Sequence, residues 1–172
     1  MKAVGILVAI ALALALQTSL ARFLVGGAAA VDLVLVVVVY VALTGGPVTG
    51  MLAGSLAGFT QDALSIGVIG IGGLSKSMVG FVVGAIGQQF IVTAALLRLV
   101  IFLGSSVAHA AIFMGVYVVL GLGSFPSPWA SIFSQALGNA AVGMIACTII
   151  EVFPVAVERR RLSKRTRSST WK

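Results

Sequence analysis

Charged side chains are scarce in this sequence of 172 residues, and their scarcity argues against a soluble domain. Lys, Arg, Asp and Glu together make up 9% of the chain, whereas they make up about 25% of a typical soluble protein. Hydrophobic residues account for 60% of the sequence, and the mean hydropathy is +1.19. This composition predicts an integral membrane protein, whose side chains face lipid as well as the protein core.

Residue types that commonly carry chemistry are also few. The chain has one cysteine, Cys147, and one histidine, His109, which exclude an intrachain disulfide and a metal site built from several Cys or His ligands. No nucleophile, base and orienting acid are expected to converge, so we predict that the protein is not an enzyme and uses no cofactor. His109 is interpreted as a polar packing residue, with a proton relay as the alternative.

Positive charge is concentrated at one end of the sequence. Seven of the eleven Lys and Arg residues lie in positions 159–172, beginning with Arg159, Arg160 and Arg161. A high pI is also typical of nucleic-acid-binding proteins, but a basic run beside an apolar segment fits anionic lipid headgroups better. We therefore predict a transmembrane domain over residues 1–158, a basic cytoplasmic tail over 159–172, and no nucleic-acid partner.

Six apolar segments are candidates for membrane-spanning helices. Helices are expected because lipid offers no partner for open backbone groups, and the segments lack the period-two alternation of a barrel. The first is interpreted as an uncleaved signal-anchor helix, with a cleaved signal peptide as the alternative. The second is short for a span, so we expect flanking residues to extend it or the bilayer to thin. The predicted spans are 3–20, 31–44, 48–64, 74–87, 99–120 and 129–153.

The distribution of basic residues gives an independent test of this arrangement. Six spans place both termini on one side of the membrane, and basic residues concentrate on the cytoplasmic side. Lys2, Arg98 and the tail then lie on the cytoplasmic side, while Arg22 and Lys76 lie outside. The charge distribution therefore agrees with two cytoplasmic termini, and Arg98 is expected to reach the inner headgroups.

Glycine is abundant, with 21 residues, and part of it recurs at intervals of four. This spacing places glycines on one helix face, where two backbones can approach closely and gain van der Waals contact in lipid. Two interpretations stay open, namely packing inside one bundle and a docking face for another membrane protein. The glycines concerned are Gly50, Gly54, Gly58, Gly80 and Gly84.

Two further glycine runs are expected to form connections. Gly45-Gly46-Pro47 predicts a tight turn, because glycine permits positive φ and proline interrupts a helix. The run over residues 67–73 superficially resembles a phosphate-binding loop. Its spacing differs from Gly-x-Gly-x-x-Gly and no strand precedes it, so we do not predict a phosphate site there.

Charged side chains inside spans need partners, because an unpaired charge is costly in lipid. Asp62, near the end of the third span, and Lys76, near the start of the fourth, are expected at similar depth. We predict an ion pair between them, with Gln61 adding a hydrogen bond. The alternative is that both charged side chains reach the outer headgroups.

Three other polar residues are candidates for contacts inside the membrane. Asp32 opens the second span and is expected to cap that helix. Gln135 and Asn139 are four residues apart and share a face of the sixth span. Hydrogen bonds between helices explain this pair, although a partner or a substrate could supply the other half.

The second to fourth spans carry a series of short motifs. In chain order they are Asp32-Leu33, Val39-Tyr40, Gly45-Gly46-Pro47, Gly50, Gly54, Gly58-Phe59, Gln61-Asp62-Ala63-Leu64-Ser65, Gly70, Gly72-Gly73-Leu74-Ser75-Lys76, Val79-Gly80-Phe81 and Gly84. Together these motifs resemble the MreD family of bacterial rod shape-determining membrane proteins. The likeness extends from about residue 13 through Asn139-Ala140. It departs from the family at Val31, where a proline is usual, and in the length of the basic tail.

The resemblance implies both a fold and a role. The fold would be an all-α bundle of about six transmembrane helices, similar to the substrate-binding subunits of vitamin (ECF-type) transporters. The role would be a non-enzymatic scaffold or adaptor of the cell-elongation machinery in the bacterial inner membrane. The implied partners are an MreC-like protein, the peptidoglycan synthase formed by RodA and its penicillin-binding protein, and MreB filaments. A small-solute binding or transport subunit that uses Asp32, Asp62 and Lys76 is the alternative.

Overall fold

The computed structural model describes residues 2–23, 31–65, 68–90, 92, 94–123 and 129–169, without the side chains of residues 2, 20–23 and 151–169. The described residues form six α-helices and contain no strand, which confirms the predicted all-helical fold. Each predicted span overlaps one helix, although α6 continues past the predicted end at 153 into the basic tail. The helices are α1 Lys2–Phe23, α2 Leu33–Gly45, α3 Pro47–Leu64, α4 Ile71–Gln89, α5 Ala95–Val119 and α6 Trp129–Ser169.

Two helices of the described chain are long and apolar enough to cross a membrane, as judged by length and composition. They are α5 and the Trp129–Ile150 part of α6. The apolar part of α1, Ala3–Ser19, and helix α2 are shorter. With 13 residues, α2 is about 20 Å long, less than the ~30 Å hydrocarbon core of a bilayer. The flanking residues that were expected to lengthen α2 do not join it, because Asp32 caps its start and Gly46 its end.

Helix α2 lies at the centre of the bundle. One side packs with α1 and α3 through Val34 and Val38, and the other packs with α4, α5 and α6 through Leu35 and Val39. All four side chains are at most 1% exposed. Because a helix that is apolar all round is suited to a buried position, the valine-rich run that would favour a strand in water forms the central helix here.

The turn between α2 and α3 confirms the prediction for Gly45-Gly46-Pro47. Helix α2 ends at Gly45, and Gly46 has a φ of 86°, a left-handed value that favours glycine. Pro47 then opens α3. A proline fits the first helical turn because the N–H group that it lacks has no partner within the helix.

Helices α3 and α4 share the largest helix–helix contact in the described chain. Glycines spaced by four residues on both helices let the two backbones touch at successive turns. A Cβ atom on any of these glycines would overlap atoms of the opposite helix, and at Gly84 it would also overlap Gly46 in the turn before α3. The opposed positions are Gly50 with Gly80, Gly54 with Lys76, Gly58 with Gly73, and Gly84 with Pro47.

This α3–α4 contact, called the glycine seam below, decides between the two interpretations of the periodic glycines. Gly50, Gly54, Gly58, Gly80 and Gly84 are all buried, and each faces the backbone of the neighbouring helix in the same chain. They therefore serve packing inside the bundle. The docking interpretation does not apply to these five positions, because a second helix cannot occupy a surface that is already filled.

Candidate functional site

One end of the bundle gathers polar side chains around a cavity of about 370 Å³. Helices α1, α3 and α5 contribute residues from their later parts, and α2, α4 and α6 contribute residues at or near their starts. The six helices therefore alternate in direction, and residues far apart in the sequence meet at this end.

A buried ion pair forms part of the wall of this cavity. The Lys76 ammonium lies 2.8 Å from Oδ2 of Asp32, and each of the two residues is only 3% exposed. Nε2 of His109 lies 3.4 Å from the same ammonium and 3.7 Å from Oδ2 of Asp32. The three side chains come from α4, from the start of α2 and from α5, so the cluster joins three helices.

Asp32 also fixes the start of α2, as predicted. Its Oδ1 accepts a hydrogen bond of 2.9 Å from the backbone N–H of Leu35, which is an N-cap contact. One carboxylate thus caps a helix with one oxygen and holds the lysine with the other. A change in the Asp32 side chain should therefore disturb both the cap and the ion pair.

Asn139 connects α6 to the same cluster. Its Oδ1 accepts a 2.6 Å hydrogen bond from the backbone N–H of Asp32, and its Nδ2 donates a 3.0 Å bond to Oγ of Ser106 on α5. The Ser106 hydroxyl in turn donates to the carbonyl of Phe102. The predicted role of Asn139 in hydrogen bonding between helices is therefore seen directly, and four helices are joined by one polar network.

The predicted ion pair between Asp62 and Lys76 is not formed. Lys76 binds Asp32 instead, while Oδ2 of Asp62 accepts the backbone N–H groups of Gly70, Gly72 and Gly73 at 2.8, 2.9 and 3.2 Å. These N–H groups lie at the start of α4, where unpaired donors and the helix dipole favour a negative charge. The Asp62 carboxylate thus has backbone donors as its partners, and Lys76 pairs with Asp32.

The glycines at this turn are required by the bound carboxylate. Gly70 has a left-handed φ of 109°, and a Cβ on Gly72 would overlap Oδ1 of Asp62. The run that superficially resembles a phosphate-binding loop does hold an anion, but the anion is a side chain of the same protein.

Loss of the Asp62 carboxylate should weaken this turn moderately. We expect Asp62→Ala to lower the free energy of unfolding by about 0.5–2 kcal/mol, as for the loss of an N-cap. Asp62→Asn should cost less, because an amide oxygen still accepts the N–H groups. Thermal unfolding in detergent measures the difference, and Ser65→Ala is the control, since its hydroxyl donates to the Gln61 carbonyl of α3. Equal stability of Asp62→Ala and Ser65→Ala would contradict the assignment.

Three glutamines from three helices line the cavity. Gln17 accepts a 3.2 Å hydrogen bond from the backbone N–H of Val34 through its Oε1. Gln61 and Gln135 are half-buried at the cavity wall, and Oε1 of Gln61 has no hydrogen-bond partner in the described part of the chain. The predicted bond from Gln61 to an Asp62–Lys76 pair is therefore not formed.

Arg98 lies at the opposite end of the bundle. Its Nε donates a 3.1 Å hydrogen bond to the carbonyl of Val92, which precedes α5. The side chains of Arg159, Arg160 and Arg161, and of the rest of the basic tail, lie outside the described residues. The predicted lipid contacts of the tail accordingly stay a prediction.

Comparison with known families identifies the chain's relatives. The family described as rod shape-determining protein MreD matches residues 2–154, which is most of the sequence. The chain belongs to the MreD family. Membership supports a role in rod shape determination and places the chain among membrane proteins. No curated protein and no solved structure is similar enough to the chain to count as a match.

The sequence of this MreD-family chain does not predict every residue at the polar end of the bundle. It does not predict the roles of Gln17 at the cavity and of Ser106 in the polar network, or the contact of His109 with Lys76. A signal was available for Asp62, because three glycine N–H groups at a helix start form an anion site without help from a lysine. For Gln17 and Ser106 no such signal exists, since one polar residue in an apolar helix does not show which helix it faces.

Proposed function

We propose that this chain is a non-enzymatic inner-membrane scaffold of the bacterial elongation machinery, which maintains rod shape by binding other membrane proteins. Family membership supports the role in cell shape. The observation that carries the binding step is an apolar groove of about 360 Å³ between α4 and α5. It lies outside the glycine seam, so that the helices which the structure describes do not fill the surface that a partner would use.

The groove has the features of a helix-binding surface. Met78 and Val82 of α4 and Val100 of α5 line it and are about half exposed. Gly104 of α5 also lines the groove, and an added Cβ there would have no atom within 4 Å. A small residue beside large apolar side chains permits close approach of another helix, which is the main attraction between helices in lipid.

One polar atom in the groove favours a protein helix over a lipid chain. The hydroxyl of Ser105 is buried and has no partner in the described part of the chain, although it lines this apolar groove. Hydrocarbon cannot accept its hydrogen bond, whereas a partner helix can do so through a polar side chain. The proposed occupant is the transmembrane helix of an MreC-like protein.

Cross-linking in intact membranes tests this interface. Cysteines at Val82 and Ala108, in a Cys147→Ala background, should cross-link to the transmembrane segment of an MreC-like protein. Cysteines at Val8 and Leu12 on the exposed side of α1 are the matched controls and should not. Equal cross-linking from both sets, or from α1 alone, would contradict the groove as the binding surface.

The proposal includes a topology and further partners. Six spans with both termini in the cytoplasm are consistent with the alternating helix directions and with Arg98 at the end opposite the cavity. A bundle like that of ECF-type substrate-binding subunits is proposed from the family resemblance alone. The synthase of RodA and its penicillin-binding protein would be reached through the MreC-like partner. Anionic lipid, at ~1 kcal/mol per basic residue, and MreB filaments are proposed to bind near the tail over residues 159–172.

A small-solute binding or transport subunit is the second candidate. The polar cavity favours it, because Asp32, Asp62 and Lys76 all line one space. In this structure, however, the Asp32 and Lys76 charges are paired with each other, and Asp62 is held by backbone N–H groups. These contacts explain the charges as structural elements, and the family supports the shape-determining role.

A further inference from the structure

The cavity at the polar end contains buried groups whose hydrogen-bonding capacity the described chain does not use. Nδ1 of His109 and Oε1 of Gln61 are buried and have no partner in that part of the protein. His109 is 7% exposed, and both residues line the cavity of about 370 Å³. Buried polar atoms normally have partners, so these two atoms point to a ligand that supplies them.

The contacts of His109 decide which kind of hydrogen bond it offers. An ammonium group only donates hydrogen bonds, so Nε2 of His109 accepts from Lys76 at 3.4 Å. The ring proton then lies on Nδ1, which is a donor. Oε1 of Gln61 is an acceptor. A ligand must therefore accept a hydrogen bond at one point and donate one at another. Hydroxyl groups can do both.

The charges at the cavity wall favour a neutral ligand. Two carboxylates, Asp32 and Asp62, and one ammonium, Lys76, line the cavity. The ammonium is already bound to Asp32 at 2.8 Å. Among the described lining residues there is accordingly no cation left to balance a phosphate or a carboxylate on the ligand, and burying an unbalanced anion is costly.

The remaining wall suits a ring with an apolar face. Phe113 and Tyr117, one turn apart on α5, line the cavity with their ring centroids 6.1 Å apart and their planes inclined by 22°. Gln135 and Ser131 add an amide and a hydroxyl from the first part of α6. Amides and hydroxyls beside aromatic surfaces match a molecule that carries hydroxyl groups on its edge and C–H groups on its faces.

We propose that this cavity binds a neutral ligand rich in hydroxyl groups, of the sugar class, either as a free sugar or as the uncharged sugar headgroup of a lipid. The His109 Nδ1–H group donates to a ligand oxygen, and Oε1 of Gln61 accepts from a ligand hydroxyl. The site is separate from the groove between α4 and α5, so its test can fail without affecting the proposed function.

The single histidine of the chain makes the test specific. The full-length protein, labelled with ¹⁵N-histidine, is placed in phosphatidylcholine nanodiscs, and glucose, glucose 6-phosphate or a glucosyl-diacylglycerol is added. The Nδ1 signal should shift with glucose or with the glycolipid, and not with glucose 6-phosphate. A shift with glucose identifies a free-sugar site, and a shift with the glycolipid alone identifies a headgroup site.

A pair of matched variants separates binding from folding. Gln61→Leu should weaken binding of the active probe by about fivefold to tenfold, as for the loss of one hydrogen bond. Gln88→Leu, at the opposite end of the bundle, should leave binding unchanged. The proposal is overturned if the His109 signal of folded wild-type protein responds to none of the three probes, or if glucose 6-phosphate binds more tightly than glucose.

Discussion

Lys76→Met is expected to lower the free energy of unfolding by about 3–5 kcal/mol, the usual cost of removing one partner from a buried ion pair. The cost arises because Asp32, at 3% exposure, is left with an uncompensated charge inside the bundle. Methionine retains much of the apolar length of lysine, so lost packing contributes little. Unfolding of the purified protein in mixed detergent and dodecyl sulfate measures the effect.

A second substitution at Asp32 should restore much of this loss. In Asp32→Asn/Lys76→Met no buried charge of the pair remains, and asparagine still caps α2 through the N–H of Leu35. The double variant should therefore be more stable than Lys76→Met alone. The matched control is Asp62→Asn/Lys76→Met, which should show no recovery. Recovery in the control and not in the Asp32 variant would instead place the ion pair within the α3–α4 hairpin.

Gly54→Ala is expected to produce the other large effect, a loss of about 1–3 kcal/mol, which is typical of overpacking. An added Cβ at Gly54 would overlap the backbone carbonyl of Lys76. Because a backbone cannot move aside as a flexible side chain does, α3 and α4 must separate. Gly50→Ala, which would meet the carbonyl of Gly80, should behave in the same way.

The control for these variants is a glycine with open space. Gly104 and Gly115 lie in α5, and no atom lies within 4 Å of a Cβ at either position. Alanine there should be neutral or stabilising by about 0.5–1 kcal/mol, since it favours a helix more than glycine does. Denaturation in detergent compares the four variants, and equal losses at Gly54 and Gly104 would contradict close packing at the seam.

The helices of this fold could be predicted from the sequence with few errors. Long apolar runs, separated by glycine and proline, defined six segments, and the requirement for internal backbone hydrogen bonds in lipid made them helices. The length of α2 was less predictable. Asp32 and Gly46 end it on both sides, and its central position explains how a short valine-rich helix is stabilised.

The partners of the polar side chains could not be predicted in the same way. A hairpin brings Asp62 and Lys76 to similar depth, and this predicts an ion pair between them. In the structure, however, the Asp62 carboxylate accepts hydrogen bonds from the backbone N–H groups of Gly70, Gly72 and Gly73. Which of two acids a lysine binds depends on what else satisfies each acid. That information comes from the arrangement of helices and not from spacing along one of them.

The partner of the periodic glycines could likewise not be predicted from their spacing alone. A spacing of four residues identifies a face for close packing, but it does not say whether the opposite helix belongs to the same chain. A matching set on the next helix, with Gly80 and Gly84 facing the turn and α3, was the available sign of an internal seam. For the cavity the only signal was its charges, because Asp32, Asp62 and Lys76, the residues of the alternative solute site, do line it. Its other lining residues come from all six helices and could not be grouped from the sequence.

The central claim is that the groove between α4 and α5 binds a partner helix needed for rod shape. The most direct measurement is the shape of cells that carry this chain as their sole MreD-family protein, with its membrane level held equal in every strain. Gly104→Leu, which fills the groove, should give rounded cells, while the parent chain and Gly115→Leu, on the same helix but outside the groove, should give rods. Rods in all three strains, or rounded cells with Gly115→Leu alone, would contradict the claim.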